Sequence, residues 1–177
     1  DTDQIIPARF LKATERIDFD KNLFRDWRYN QNNTLKKDFV LNNKIYSGKI
    51  LVAGKNFGSG SSREHAVWAI YDYGFRCVIS SFFADIFKNN CLNIGVLPVQ
   101  ISSEFLQLIF DSIKNSPNIK LKINLFEQEV SINGLLQKEK FEINPYKKEN
   151  MMNGFDDIDY LLNIKSEIKN FASKRLF

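Results

Sequence analysis

With 177 residues, 44% hydrophobic and 26% charged, the chain has the make-up of a globular domain with a core of its own, which excludes a disordered or fibrous protein. Its formal net charge of +4 sits on scattered lysines, as on solvated faces, and this argues against a nucleic-acid stripe. No apolar run approaches bilayer-spanning length and no signal peptide is visible.

The chain starts at Asp1 without a methionine, so a truncated N-terminus is expected. Asp1-Thr2-Asp3-Gln4-Ile5-Ile6-Pro7 runs from polar to apolar to proline, which predicts a turn entering a short extended piece. Sequence physics alone makes Asp1 and Asp3 surface acids. From Phe10 to Leu41 no clean period holds. Phe19, Leu23, Phe24, Trp27 and Tyr29 alternate with Arg16, Lys21, Arg25, Asp26 and Arg28, a mixture that fits a protein interface or packing on a sheet edge equally well.

Lys49-Ile50-Leu51-Val52-Ala53 reads as a buried strand. It enters Gly54-Lys55-Asn56-Phe57-Gly58-Ser59-Gly60-Ser61-Ser62-Arg63-Glu64-His65-Ala66, where three of the chain's eight glycines fall within seven residues. Ala66, Ala69 and Ile70 then give helical spacing up to Gly74. In such a strand–turn–helix, glycines bring main-chain N–H groups close to a ligand, and Ser61 or Ser62 is expected at the helix N-terminus, where free N–H groups attract anions. Arg63 adds a planar fork suited to a carboxylate. A Gly/Ser turn that merely caps a helix is the simpler alternative, but three glycines, three serines and an arginine together favour a small acidic ligand. The spacing matches neither G-x-x-x-x-G-K-[ST] nor G-x-G-x-x-G, which argues against nucleotide loops. No G-x-S-x-G elbow occurs, and His65, the single histidine, lies one helical turn past Ser61 on the same element, which disfavours a Ser-His-acid triad.

Phe75-Arg76-Cys77-Val78-Ile79-Ser80 forms a second strand, Phe82 to Leu92 a helix, and Val96-Leu97-Pro98-Val99 a third strand whose proline suggests a sheet edge or a strand end. Ser102 or Ser103 caps a helix carrying Phe105, Leu106, Ile109, Phe110 and Ile113 and stopping before Pro117. The alternation predicts a parallel βαβαβ sheet with right-handed crossovers, with ligands bound beyond the carboxyl ends of its strands. Residues 119–125, 130–134 and 140–143 alternate or turn as an antiparallel meander. After Asn153-Gly154, Asp156 and Asp157 start one or two closing helices bearing Ile158, Leu161, Leu162, Ile168 and Phe171. With no repeat or flexible linker, residues 1–177 read as one α/β domain. Cys77 and Cys91 read as buried thiols of a reducing, cytoplasmic compartment, and with a single histidine they cannot make a self-contained zinc or iron–sulfur site.

Asp1 to Pro7, Asp26-Trp27-Arg28-Tyr29, Gly54 to Ala66, Ala84-Asp85-Ile86-Phe87-Lys88-Asn89-Asn90-Cys91 and Asn153-Gly154, taken together and in this order, closely resemble the small-subunit family of 3-isopropylmalate dehydratase, the separate swivel domain of the aconitase superfamily. The Gly-Ser-Gly-Ser-Ser-Arg-Glu-His run is the most specific part. The resemblance implies a three-layer β/β/α domain and the isomerisation of 2-isopropylmalate to 3-isopropylmalate in leucine biosynthesis. Water is removed to give an unsaturated diacid and added back the other way round.

It further implies that the chain binds no cofactor itself and works with a large subunit whose three cysteines hold a [4Fe-4S] cluster. By similarity to aconitase, Ser61 is the base, acting as its alkoxide. Ser62 and Arg63 stand beside it, Arg63 clamps a substrate carboxylate, and Gly60, Thr2 and Asp3 belong to the site. Arg9 is a candidate for the family's further substrate arginine, whereas His65 packs or caps. Two other functions remain open at this stage. One is a sister hydro-lyase subunit for homoaconitate, citraconate or dimethylmalate, and the other is a non-catalytic module binding carboxylates or RNA.

Overall fold

A computed structural model of the chain describes residues 1–12 and 19–175. Arg16, one of the arginines between the aromatics, lies outside the described residues. The chain divides into two compact units, Asp1–Glu142 and Ile143–Phe177.

The first unit opens with a helical turn, α1 (Thr2–Ile5), not with the expected turn into an extended piece. Asp1 is the reason: its carboxylate accepts the Asp3 N–H, capping a helix that runs only until Ile6 becomes extended ahead of Pro7. The aromatic–arginine segment follows as short 3₁₀ turns around α2 (Arg25–Arg28). Packing, one of its two readings, accounts for most of it. Phe19, Leu23 and Phe24 are buried, and the Phe19 ring lies 5.5 Å from Trp68 and 5.7 Å from His65. Arg28 is buried as well, donating to the carbonyls of Asp20 and Leu23 at 2.8 and 3.2 Å.

The central layer is β1 (Ile50–Val52), α3 (Glu64–Asp72), β2 (Cys77–Ser80), α4 (Asp85–Ile94), β3 (Leu97–Gln100) and α5 (Ser103–Asn115). The strands pair in parallel in the order β1-β2-β3, with Leu51 opposite Val78 and Pro98 opposite Val78 from the other side. The β2 strand is buried along its whole length, with Cys77, Val78 and Ile79 apolar ahead of Ser80, as suits the central strand of a parallel sheet. In β3 the N–H groups of Leu97 and Ile101 donate to Arg76 and Ser80, so Pro98, of the other parity, turns its missing donor to the open edge where it costs nothing.

The α4 helix starts three residues later than its apolar spacing suggests. Phe82 and Ala84 are already committed to a bridge with Phe57: the Phe57 N–H donates to Phe82 at 3.2 Å and the Ala84 N–H to Phe57 at 3.3 Å. At the other end Gly95 closes α4 with φ 88.

The meander follows as an antiparallel sheet of β4 (Leu121–Asn124), β5 (Glu129–Ile132) and β6 (Lys138–Lys140), in that order. Its strands are shorter than the alternation suggested: Phe141 still donates its N–H to Gln128 at 2.9 Å, while Glu142 and Ile143 lie outside the strand. Glu139 of β6 fastens the meander to the parallel layer. Its carboxylate accepts the N–H and hydroxyl of Ser102, at 2.6 and 2.7 Å, while the Ser102 Oγ caps α5 by accepting the Phe105 N–H at 3.1 Å.

The second unit is helical: α6 (Pro145–Asn153), α7 (Asp157–Asn163) and α8 (Lys165–Lys174). Asn144 caps α6 and Gly154 ends it at φ 68; Asp156 and Asp159 form a reciprocal capping box for α7. Asp157 gathers Tyr146 Oη at 2.7 Å, Lys147 Nζ at 2.9 Å and Asn150 Nδ2 at 3.3 Å, which ties α6 to the start of α7.

Candidate active site

The carboxyl ends of β1 and β2 lie side by side, and the loops that leave them are bound to one another. Fully buried Ser80, the last residue of β2, sits between the two loops. Its Oγ lies 2.8 Å from the carbonyl oxygen of Gly54 and 2.9 Å from that of Phe82, and it accepts the Phe82 N–H at 3.3 Å. A hydroxyl has one hydrogen, so it serves the two carbonyls alternately. With the Phe57 bridge one step further out, both ends of the loop's first half are held.

Between these anchors the backbone enters the left-handed region at Asn56 (φ 62), and beyond them it does so again at Gly58 (φ 78) and Gly60 (φ 96). Two of these positions need glycine for space as well as conformation. A side-chain carbon at Gly58 would run into the Phe87 ring, and one at Gly60 would stand 2.9 Å from the Asp1 Oδ1 and 3.3 Å from the Thr2 Oγ1.

That second approach shows what the far wall is. The α1 turn lies along the loop, with the Thr2 N–H donating to the Ser59 carbonyl at 2.7 Å and the buried Thr2 hydroxyl to the Ser61 carbonyl at 2.9 Å. Asp3 makes an ion pair with Arg63, whose Nη1 also reaches the Ile6 carbonyl at 3.4 Å. The Arg63 side chain is only 12% exposed, and its fork is therefore set by α1 before any ligand arrives.

Ser61 and Ser62 do not begin the helix. The α3 helix starts at Glu64, with an extended Arg63 (φ −134) as its N-cap and no side-chain cap. Both serines precede it, exposed, and the backbone of Ser61 is held by the Thr2 hydroxyl and not by helix capping. Thr2, Gly60, Ser61, Ser62 and Arg63 line one cavity of about 240 Å³ whose facing wall is the start of α4, Asp85 to Phe87. Asp3, the remaining candidate, stands behind Arg63.

Arg9 lies elsewhere. Both its terminal nitrogens bind the two carboxylate oxygens of Asp26, Nη1 to Oδ2 at 3.1 Å, on a separate polar basin of about 520 Å³ shared with Arg25, Tyr29 and Lys36. That bond holds the Asp26 carboxyl below its ordinary range and raises the Arg9 guanidinium. His65 packs at 4.6 Å from Trp68 and 5.7 Å from Phe19. Both cysteines are free and buried, and burial pushes the Cys77 thiol up to about 12 and that of Cys91 higher still. Among the described residues, no group of three or more His, Cys, Asp or Glu side chains could hold a metal ion, and no helix is long and apolar enough to cross a membrane.

Three further contributors to this site have roles that no local pattern announced, although Asp1 and the start of α4 fall in stretches that carry the family resemblance. Asp1 shapes the space at Gly60, Ser80 joins the two loops, and the start of α4 forms the opposite wall. The approaches of Phe87 to Gly58 and of Asp1 to Gly60 each left a trace, as a glycine.

Residues 1–104, which carry the parallel layer, the Gly/Ser/Arg loop at its strand ends and the Asp-Thr-Asp turn that walls it, match the family model of the aconitase C-terminal domain. Over 97% of its length the chain is 61% identical to a 3-isopropylmalate dehydratase small subunit of Cytophaga hutchinsonii, covering 85% of that protein. It is 55% identical over its whole length to the small subunit of Karelsulcia muelleri, covering 90% of it. The crystal structure of a 3-isopropylmalate dehydratase protein from Methanocaldococcus jannaschii superposes with a TM-score of 0.66 at 28% identity, covering 96% of this chain and 90% of that one. The chain belongs to the aconitase C-terminal domain family, within its branch of 3-isopropylmalate dehydratase small subunits, which are components of a hydro-lyase.

Proposed function

We propose that the chain, assembled with a large subunit, interconverts 2-isopropylmalate and 3-isopropylmalate in leucine biosynthesis by removing and re-adding water. The observation that carries this reading is the convergence of Thr2, Ser61, Ser62 and Arg63 on one cavity, with Asp3 paired to Arg63, in a chain so similar to named small subunits.

Arg63 binds a substrate carboxylate through its planar fork, which Asp3 keeps aimed. Ser61, as its alkoxide, takes the proton on the carbon α to a carboxylate and becomes the neutral hydroxyl, while hydroxide leaves the neighbouring carbon. The reverse sequence, with the two carbons exchanged, gives the isomer. A free serine hydroxyl is a poor base at neutral pH, and the cation of Arg63 together with nearby main-chain N–H groups lowers the cost of its ionised form. Ser62 lies beside the substrate, Thr2 holds the Ser61 backbone, and Gly60 leaves room for both. The donor set described above does not fit a cluster in this chain. The [4Fe-4S] cluster of the large subunit would supply Lewis acidity toward the substrate hydroxyl. Two buried free thiols suit a reducing cytoplasm.

Reconstitution with the cognate large subunit tests the reading. The mixture should interconvert 2-isopropylmalate and 3-isopropylmalate while the isolated chain does not, and Ser61→Ala should lower kcat at least about 1,000-fold with assembly intact, the scale of losing a catalytic group. Full activity in Ser61→Ala would remove Ser61 as the base. Faster turnover of homoaconitate, citraconate or dimethylmalate by the pair would reassign the substrate.

A further inference from the structure

We propose that the start of α4 reads the arm by which one substrate of this chemistry differs from another: Ile86 takes an uncharged, branched alkyl group, and Asp85 turns away a carboxylate. This rests on the functional reading above and adds to it the residues that choose the substrate.

Isopropylmaleate, homoaconitate and citraconate share a core of two carboxylates on a carbon–carbon double bond. They differ in what one carbon of that bond carries: an isopropyl, a carboxyethyl or a methyl group. That carbon is one of the two between which water moves, so its arm lies inside the cavity while Ser61 acts. Across the cavity from Ser61 and Arg63 stand Ala84, Asp85, Ile86 and Phe87.

Packing separates their roles. Phe87 is buried, with its ring against the space at Gly58, and forms a fixed floor. Ala84 is small and extended, which leaves room. Ile86 is the large apolar side chain that the core does not use, because α4 buries Phe87 and Cys91 instead. An isopropyl group laid against Ile86 takes apolar surface of both out of water. A methyl group gains only part of that, and a carboxylate there would lose hydration with no donor from the Ile86 side chain in return.

Charge selects in the same direction. Among the described residues that line the cavity, Arg63 is the one cation and Asp85 the one carboxylate. Arg63 is committed to a carboxylate of the core. The α4 helix begins on the cavity without a side-chain cap, an arrangement that draws anions. Asp85, in its first turn, meets that demand from within the chain, and its charge opposes a third carboxylate on the ligand.

The test uses the full chain reconstituted with its cognate large subunit. Hydration of the three unsaturated acids is followed by loss of the double-bond absorbance, and assembly of each variant by size exclusion. Ile86→Ala should lower the ratio of kcat/KM for isopropylmaleate over citraconate about ten-fold or more, the scale of lost alkyl contacts. Ile86→Val should keep that ratio within about three-fold. Asp85→Asn should raise the ratio for homoaconitate over isopropylmaleate about ten-fold, by removing the repulsion. Asp85→Asn together with Ile86→Arg, which offers the carboxyethyl arm a guanidinium, should raise it about 100-fold.

Unchanged ratios in assembled Ile86→Ala and Asp85→Asn, with a wild type that acts on isopropylmaleate, overturn this inference alone and assign the arm to the large subunit. Equal proportional losses on all three acids also overturn it, because they mark a structural role. A wild-type pair that prefers homoaconitate or citraconate, or that acts on none of the three, overturns the functional reading and this inference with it.

Discussion

The hydroxyl of Thr2 donates to the carbonyl oxygen of Ser61 at 2.9 Å, across 59 positions of sequence, and Thr2 is itself buried. The residue proposed as the base is therefore held through its backbone by a side chain of another element, which leaves its own hydroxyl out of the restraint.

Thr2→Val keeps the volume and removes the donor. The Ser61 carbonyl then loses its protein partner, at a cost of about 1 kcal/mol in stability. Turnover of the reconstituted enzyme should fall about ten-fold through misplacement of Ser61, while Thr2→Ser should restore most of it. Equal kcat values for Thr2→Val and wild type would show that the contact does not position the base.

Gly60→Ala combines a left-handed φ of 96 with a side-chain carbon 2.9 Å from the Asp1 Oδ1. The expected loss is about 1–3 kcal/mol, read from urea denaturation midpoints. Gly58→Ala should cost more, because its obstacle is the buried Phe87 ring and not an exposed carboxylate. The opposite order would mean that the Phe87 ring yields more readily than the Asp1 side chain.

The Arg9–Asp26 pair makes a prediction in acid. The Asp26 carboxyl is lowered first by its hydrogen bond from Arg9, so the folded state releases this proton more readily than the unfolded chain. Its contribution is present above the ordinary aspartate range and is lost as pH falls through the depressed value. Both side chains are more than half exposed, which limits the contribution to about 1 kcal/mol or less. Asp26→Asn should lower stability at pH 7 by about 1 kcal/mol or less and leave it little changed in strong acid, which flattens the acid arm of the profile.

Cys77 predicts the opposite arm. Burial raises its thiol from 9.0 to about 12, so between these values the native state keeps a proton that the unfolded chain releases. Stability should therefore fall as pH rises from 9 toward 12, and Cys77→Ala or Cys77→Val should remove part of that slope. A thiol reagent at pH 8 should label neither cysteine in the native chain and both in urea.

The order of elements was legible from Lys49 to Ile143 because its signals are local: apolar runs for β1 and β2, helical spacing on α5, alternation in the meander, and a proline marking the edge strand. The Gly54–Arg63 loop stood out for the same reason, as a dense set of residues with special backbone and hydrogen-bonding properties. What the sequence left undecided depended on partners far along the chain. A four-residue helix such as α1 has no stability of its own, and it exists because Asp1 caps it and Thr2 binds Ser59 and Ser61. Phe82 to Ala84 have helix-compatible spacing, yet their backbone groups pair with Phe57. Arg9 and Arg63 are the same residue type near the same motifs. Only tertiary placement gave one to Asp26, away from the serines, and set the other beside Ser61 with Asp3 behind it, because an ion pair is decided by which carboxylate the fold brings within reach.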